Sequence, residues 1–127
     1  MRIYKSKWFT RFARKAQIAD ATLCEAVRNA EQGLIDADYG GGVIKQRLPR
    51  QNEGKSGGYR SVVLFRKQGR SFFVYGFAKN EQDNISESDE RDFKELAQAL
   101  LGASDAEVES LVRAAKYVEV KYNDDEL

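Results

Sequence analysis

The stretch that most constrains the fold runs from Gly54 to Glu81 and has the pattern of a β-hairpin. Two segments, Ser61–Phe65 and Ser71–Phe77, are almost continuously apolar and rich in β-branched and aromatic residues, which is typical of buried strands. The polar residues between them, 66–70, include a glycine and suit a hairpin loop. We therefore place the hairpin at the centre of a sheet that is covered on at least one face.

The outer ends of this hairpin collect cations and aromatic rings. Antiparallel pairing puts the segment before the first strand beside the segment after the second. The side chains concerned are Lys55, Tyr59, Arg60, Tyr75, Phe77, Lys79 and Asn80. We expect a rigid platform with one basic, aromatic end, and aromatic rings beside cations suit single-stranded RNA.

Patterns before the hairpin predict two helices packed on the sheet, after a short first strand at residues 2–4. The first helix runs from Lys7 to Lys15 and is capped by Ser6, while Asp20 caps the second and Gly33 ends it. We interpret residues 34–42 as a linker. Its Asp-x-Asp spacing admits a cation site, but no further carboxylate follows at loop spacing, so a flexible turn is favoured.

A basic strand and loop precede the hairpin. Residues 43–48 alternate apolar and polar side chains, as a half-buried strand does, with Lys45 and Arg47 on one face and Pro49 at the end. The following loop carries Arg50 and Lys55. A cationic loop beside a sheet is suited to holding a nucleic-acid backbone.

Residues after Glu81 change in composition and predict two more helices. Ser86 and Ser104 each precede a helical stripe as N-caps, and Tyr117–Tyr122 has the pattern of a last edge strand. We expect an α+β fold in one domain, 1–127, with a small antiparallel sheet of about four strands. Its core is residues 2–101, and residues 102–127 are a C-terminal extension.

Composition excludes several chemistries. The 127 residues contain no histidine and one cysteine, Cys24, so His-based nucleophile pairs, an internal disulfide and a cysteine metal cluster are excluded. Catalysis must use Lys, Arg, Tyr, Asp or Glu, and we expect neither metal nor cofactor. No apolar run approaches the roughly 18 residues of a membrane span. The first nine residues lack the apolar core of a signal peptide, so we expect a cytoplasmic protein without membrane partners.

The small net charge of +1 hides a strong asymmetry. Residues 1–79 carry 16 basic and 6 acidic side chains, whereas residues 80–127 carry 5 basic and 14 acidic ones. A body of +10 followed by a segment of −9 indicates a face that binds a polyanion and another that does not. The alternative is that the C-terminal helices carry ordinary acidic, solvated surfaces.

The motifs at the hairpin ends resemble the RelE/HigB superfamily of type II toxins, which are small ribosome-dependent mRNA endonucleases. The resemblance rests on GKSGGYR before the first strand and YGFAKNE at the end of the second. It is strongest over residues 43–101 and extends over residues 2–101. It implies a RelE-like fold, translation inhibition, and the ribosome and mRNA as partners. It also implies a cognate helix-turn-helix antitoxin, through which alone the complex would bind operator DNA.

The resemblance and the chemistry of RNA cleavage together suggest roles for individual residues. Arg60 is the arginine that holds the scissile phosphate, because its fork stays charged and matches phosphate oxygens. Lys55 and Lys79 are the basic residues of the active site, and Tyr75 orients the substrate there. The expected RNA-binding residues are Lys45, Arg47, Arg50, Tyr59, Phe77 and Asn80.

Three positions depart from the usual family pattern. Asn80 stands where an arginine is common, Ser86 where a tyrosine is common, and Glu53 near an expected lysine. Two other functions therefore stay open: a ParE-like toxin that blocks a topoisomerase by protein contact, or a non-enzymatic RNA-binding module. For the antitoxin we expect contacts mainly with residues 7–30, leaving the basic cleft largely uncovered.

Overall fold

The computed structural model describes residues 1–50 and 58–121, which form four helices and one six-stranded sheet. The elements in chain order are β1 (Arg2–Ser6), α1 (Lys7–Ala16), α2 (Asp20–Glu31), β2 (Ala37–Gly40), β3 (Val43–Leu48), β4 (Tyr59–Phe65), β5 (Arg70–Ala78), α3 (Glu87–Leu101), α4 (Asp105–Arg113) and β6 (Tyr117–Glu119). No helix in these described ranges is long and apolar enough to cross a membrane.

The sheet has the order β2-β3-β4-β5-β1-β6, with the predicted hairpin β4–β5 at its centre. All neighbouring strands are antiparallel except β1 and β5, which run parallel. The hairpin loop is as predicted, except that Arg70 already belongs to β5; Gln68 adopts a left-handed conformation, φ 57°, just before Gly69. The predicted α+β class is confirmed, and the sheet is larger than the four strands expected.

Helices cover both faces of the sheet. Helices α1 and α2 bury one cluster that includes Phe9, Leu23, Val27, Val63 and Phe73. On the other face, α3 and α4 bury a second cluster that includes Val62, Leu64, Phe72, Ala97 and Val108. Side chains of β4 and β5 contribute to both clusters, which explains why these strands are apolar nearly throughout.

Three of the predicted helix caps are confirmed and one is wrong. Ser6, Ser86 and Ser104 each accept a hydrogen bond from the backbone N–H three residues later. Asp20 does not cap α2, because the N-cap is Ala19, which makes no side-chain bond. The carboxylate of Asp20 instead accepts hydrogen bonds from Lys5 Nζ at 3.0 Å and from the Lys121 backbone N–H at 3.3 Å. It therefore connects α2 to β1 and to the segment just after β6.

The segment interpreted as a linker, residues 34–42, contains the edge strand β2. Ala37, Asp38 and Gly40 pair with β3, with a register shift at Tyr39, and Gly40, Gly41 and Gly42 all have positive φ where the chain turns from β2 into β3. A Cβ on Gly42 would lie 2.7 Å from Leu101 Cδ1, so glycine also lets the end of α3 approach this turn closely.

The last residues of the described chain belong to the same sheet. Strand β6 pairs with β1, and the Arg2 side chain donates two hydrogen bonds to the Glu119 carboxylate, at 2.9 and 3.0 Å. Arg70 donates to the backbone carbonyls of Leu100 and Ala103 and to Asp105. These bonds fasten the α3–α4 junction to the loop end of the central hairpin.

Candidate nucleic-acid interface

The open end of the hairpin brings together basic side chains from two neighbouring strands. Arg60 on β4 lies opposite Phe77 on β5 and opposite Arg47 on β3. Since residues that pair across strands share a face of the sheet, Arg47 and Arg60 are on the same face, as is Lys45 two residues before Arg47. This is the face that α3 covers further along the sheet.

Three cations of this face converge on one carboxylate, Asp36. Arg47 Nε lies 3.0 Å from Asp36 Oδ1, while Arg60 Nε and Lys45 Nζ lie 3.5 and 3.7 Å from Asp36 Oδ2. We call these four residues the Asp36 cluster. Counted over these four residues alone, one negative charge stands against three positive charges, which gives the cluster a net charge of +2. Such a surplus, held close together, attracts phosphate.

A buried glutamine holds Asp36 in place. The Gln46 side chain accepts a hydrogen bond from the Asp36 backbone N–H at 2.9 Å and donates to the carbonyls of Ala26 and Leu34, at 2.9 and 3.0 Å. Its amide therefore joins the loop before β2 to α2 and β3. A fully bonded buried amide fixes local geometry well, so the position of Asp36 is set by the core.

The cluster is partly enclosed. Arg60 is only 5% exposed, and Lys45 Nζ also lies 3.5 Å from the Asp83 carbonyl in the turn after β5. Tyr39 donates a hydrogen bond to Asn84 in that same turn. Burial, followed by the nearby carboxylates of Glu90 and Asp36, raises the pKa of Tyr39, so its phenol stays protonated. Arg47, with half of its side chain exposed, is the member of the cluster most open to solvent.

The predicted aromatic residues occupy different environments. Tyr75 lies between both helical layers: its ring centroid is 4.7 Å from that of Trp8 on α1 and 6.2 Å from that of Phe93 on α3. Its hydroxyl donates to Gln82 Oε1 at 3.3 Å. Phe77 is only 5% exposed and belongs to the α3-side core, because α3 covers that face. Little of the Phe77 ring is thus open to a base, and its centroid lies 6.0 Å from that of Tyr75, so the stacking role of Phe77 stays a prediction.

Two other predicted residues lie on the opposite side of the sheet. The Tyr59 ring meets Phe12 of α1 edge-on, 5.6 Å between centroids, and the Arg50 guanidinium lies 5.6 Å above the Tyr59 ring. Strand alternation explains the separation, because Tyr59 and Arg60 are consecutive residues of β4. The predicted RNA-binding residues thus divide between two faces that meet at the end of the hairpin.

The remaining predicted residues follow β5 or precede β4. Lys79 and Asn80 are exposed just after β5, and the Lys79 backbone N–H donates to the Gly58 carbonyl at 3.3 Å. Among the described residues, the Lys79 ammonium has no acidic partner. Lys55 and the departure at Glu53 lie outside the described residues.

Sequence reasoning missed three residues of this region. Asp36 was weighed only as a cation ligand, and the described part of the chain contains no group of three or more His, Cys, Asp or Glu that could hold a metal. Gln46 looked like an ordinary polar residue of a half-buried strand. Trp8 has only a helical spacing with Phe9 and Phe12 in the sequence, which is typical of packing on a sheet, yet 42% of it is exposed.

The fold and this basic hairpin end define a small α+β protein of the RelE-like class. The family model described as "RelE toxin of RelE / RelB toxin-antitoxin system" matches residues 1–120. The chain therefore belongs to the RelE family of toxins, and this membership implies a cognate antitoxin. The match extends past residue 101, through α4 and β6. Compared with curated proteins, the chain shows no significant match.

Proposed function

We propose that this toxin is a metal-independent, ribosome-dependent mRNA endonuclease that inhibits translation, with its active site at the open end of the β4–β5 hairpin. The Asp36 cluster is the observation that carries the proposal. Within residues 1–50 and 58–121, three cations surround one carboxylate, and Lys79, exposed just after β5, has no acidic partner there. A phosphodiester is the ligand that such a group of cations suits.

RNA cleavage without a metal requires three tasks from the protein. The ribose 2′-hydroxyl must lose a proton and attack the adjacent phosphorus, the charge that develops on the phosphoryl oxygens must be held, and the leaving 5′-oxygen must gain a proton. Arg60 performs the second task. Its Nε lies 3.5 Å from Asp36 Oδ2 and its Nη1 donates to the Tyr59 carbonyl at 3.3 Å, and the planar fork of the guanidinium matches the oxygens of a phosphate.

Asp36 acts in this proposal as a positioning residue. It holds three like charges near one another in the free protein, where they would otherwise repel, and it fixes the direction of the Arg60 side chain. Donors that are already oriented need no reorganisation when charge develops in the transition state. Lys45 and Arg47 then add attraction for the flanking phosphates.

Lysines carry the proton transfers, since the chain has no histidine. Lys79 is exposed at the end of β5, and the resemblance to the family suggests Lys55 as a second basic residue. Tyr75 lies one residue from Gly76 and two from Phe77, the cross-strand partner of Arg60. Its hydroxyl group could position the ribose or base next to the scissile bond.

A translating extract tests the proposal directly. Purified toxin is added to an extract that translates a defined message, and to the same message without ribosomes, both with excess chelator for transition metals. We expect new 5′ ends within the translated region only where ribosomes translate. An intact message together with inhibited topoisomerase supercoiling activity would contradict the proposal and favour a ParE-like toxin.

A further inference from the structure

A second candidate RNA contact lies on α1, next to the hairpin end but separate from the Asp36 cluster. Strand β1 pairs with β5 only from Arg70 to Phe73, so among the described residues the later part of β5 has no strand beside it on that edge. Helix α1 packs there instead. Residues that line the groove between them include Trp8, Phe12, Lys15, Tyr59, Tyr75, Glu81 and Gln82.

Glycine at one position of β5 makes this groove possible. A Cβ on Gly76 would lie 2.3 Å from Phe12 Cε2, so only glycine lets the Phe12 ring lie directly on the strand. Trp8, one helical turn earlier, then stacks on Tyr75, with 4.7 Å between ring centroids, and on Phe12, at 5.5 Å. The result is a continuous aromatic surface that is open to solvent at Trp8.

The helix that forms one side of this surface is positively charged. Helix α1 carries Lys7, Arg11, Arg14 and Lys15 and no acidic residue, and all four cations are exposed. Within the described ranges none of them has an acidic partner, whereas the neighbouring Lys5 pairs with Asp20 at 3.0 Å. Arg11, Arg14 and Lys15 border an adjoining hollow with Trp8 and Phe12.

We propose that the Trp8 groove is a base-stacking subsite for single-stranded RNA, in which one nucleobase next to the scissile position stacks on the indole while α1 holds its phosphates. Stacking on aromatic rings beside a cationic backbone track is how single strands are bound without sequence preference. The groove also contacts Tyr59, the neighbour of Arg60, so a strand at the Asp36 cluster could continue into it. This subsite rests on the proposed RNA cleavage.

Trp8 is the only tryptophan of the chain, so its fluorescence reports on the groove directly. The full chain is titrated at low salt with 2′-O-methyl oligouridylate and 2′-O-methyl oligoadenylate. Neither can be cleaved, because the 2′-hydroxyl that would attack the phosphorus is methylated. We expect both to quench the fluorescence. An abasic oligomer of the same length should bind through its phosphates but leave the indole nearly unquenched.

Variants separate stacking from packing, with affinity for the same oligomers measured by anisotropy of a labelled strand. Trp8→Phe should bind almost as well as the original chain. Trp8→Leu keeps an apolar side chain but loses the ring, and it should bind about tenfold more weakly, the loss expected for one stacked base. Val118→Ala is the matched control, because Val118 is 41% exposed on β6, and it should change nothing.

The outcomes distinguish this subsite from the proposed function. Two results together would overturn the subsite while the endonuclease stands: normal message cleavage by Trp8→Leu, and oligomers that leave the tryptophan fluorescence of the original chain unquenched. Quenching in the original chain, together with weaker oligomer binding by Trp8→Leu in the anisotropy measurement, would support the subsite, and a toxin that behaves so but cleaves no message would reject the endonuclease. If only the cognate antitoxin changes the Trp8 signal, the groove binds protein and the RNA proposal is wrong.

Discussion

The central hairpin carries a buried arginine at each end, and the two differ in how their charge is balanced. Arg70, at the loop end, donates hydrogen bonds to the carbonyls of Leu100 and Ala103 and to the carboxylate of Asp105. Arg60, at the open end, shares Asp36 with Lys45 and Arg47. One arginine closes a helix junction, while the other belongs to a cluster with surplus charge. Burial alone therefore does not distinguish the two arginines, whereas the number of cations that share their carboxylate does.

The largest effect should follow from removing the arginine with surplus charge. Arg60→Ala should lower the rate of message cleavage in a translating extract by at least about 100-fold, the loss typical when one transition-state donor is removed. Circular dichroism should show an unchanged fold. Equal growth arrest by the original toxin and a folded Arg60→Ala variant would show that Arg60 is not needed for activity.

Removing the other arginine should affect stability instead. Arg70→Met keeps the apolar stem but leaves the Ala103 carbonyl without its donor, so we expect a loss of about 2–3 kcal/mol in the free energy of unfolding, measured in urea. The ion pair adds little to this, because the Asp105 side chain is 85% exposed. Cleavage per folded molecule should stay near the original value. A tenfold loss in fully folded Arg70→Met would show that the two ends are not functionally separate.

Neutralising the Asp36 carboxylate should change kcat and KM in different ways. Asp36→Asn releases Arg60 from its ion pair, so we expect kcat to fall about tenfold because the phosphate donor is no longer oriented. The net charge of the cluster rises, so KM at low salt should stay the same or decrease. Asp38→Asn, two residues away, serves as the control. A rise in KM with unchanged kcat would mean that Asp36 does not position Arg60.

The smallest effect concerns the salt dependence of ribosome binding. Replacing Lys45, Arg47 and Arg50 together with glutamine should flatten the slope of log affinity against log salt by about three, because each of the three lost phosphate contacts removes close to one unit. Gln replacements of Arg113, Lys116 and Lys121, which lie in the acidic C-terminal part, should leave the slope unchanged. A ribosome affinity independent of salt in the original toxin would point to a protein target.

Local signals in the sequence predicted much of the fold. The three serine caps and the hairpin depend on residues within a few positions of each other, and each is where the pattern placed it. Strand β2 was missed because its four residues, ADYG, have no strand pattern and gain their structure by pairing with β3. Asp20 was assigned wrongly because its partners, Lys5 and Lys121, are distant in sequence.

The candidate site was predicted less completely, because its contacts also join residues that are distant in sequence. The resemblance pointed to Arg60 and the strand pattern put Lys45 and Arg47 on one face, but Asp36, which joins them, lies 24 positions before Arg60. Phe77 was expected to meet a base, since strand alternation places it beside Tyr75. Packing of α3, a separate element, decides that Phe77 is buried and that Tyr75 is partly open.

The most direct test of the account observes both arginines while RNA binds. The chain is labelled with ¹⁵N at arginine, and the guanidinium N–H signals are followed by NMR as a non-cleavable 2′-O-methyl oligonucleotide is added. We predict that the Arg60 signals move and broaden, because a phosphate of the oligonucleotide contacts its guanidinium, while the Arg70 signals stay in place. Unchanged Arg60 signals in a chain that binds the oligonucleotide, or signals of Arg70 that move alone, would contradict this prediction.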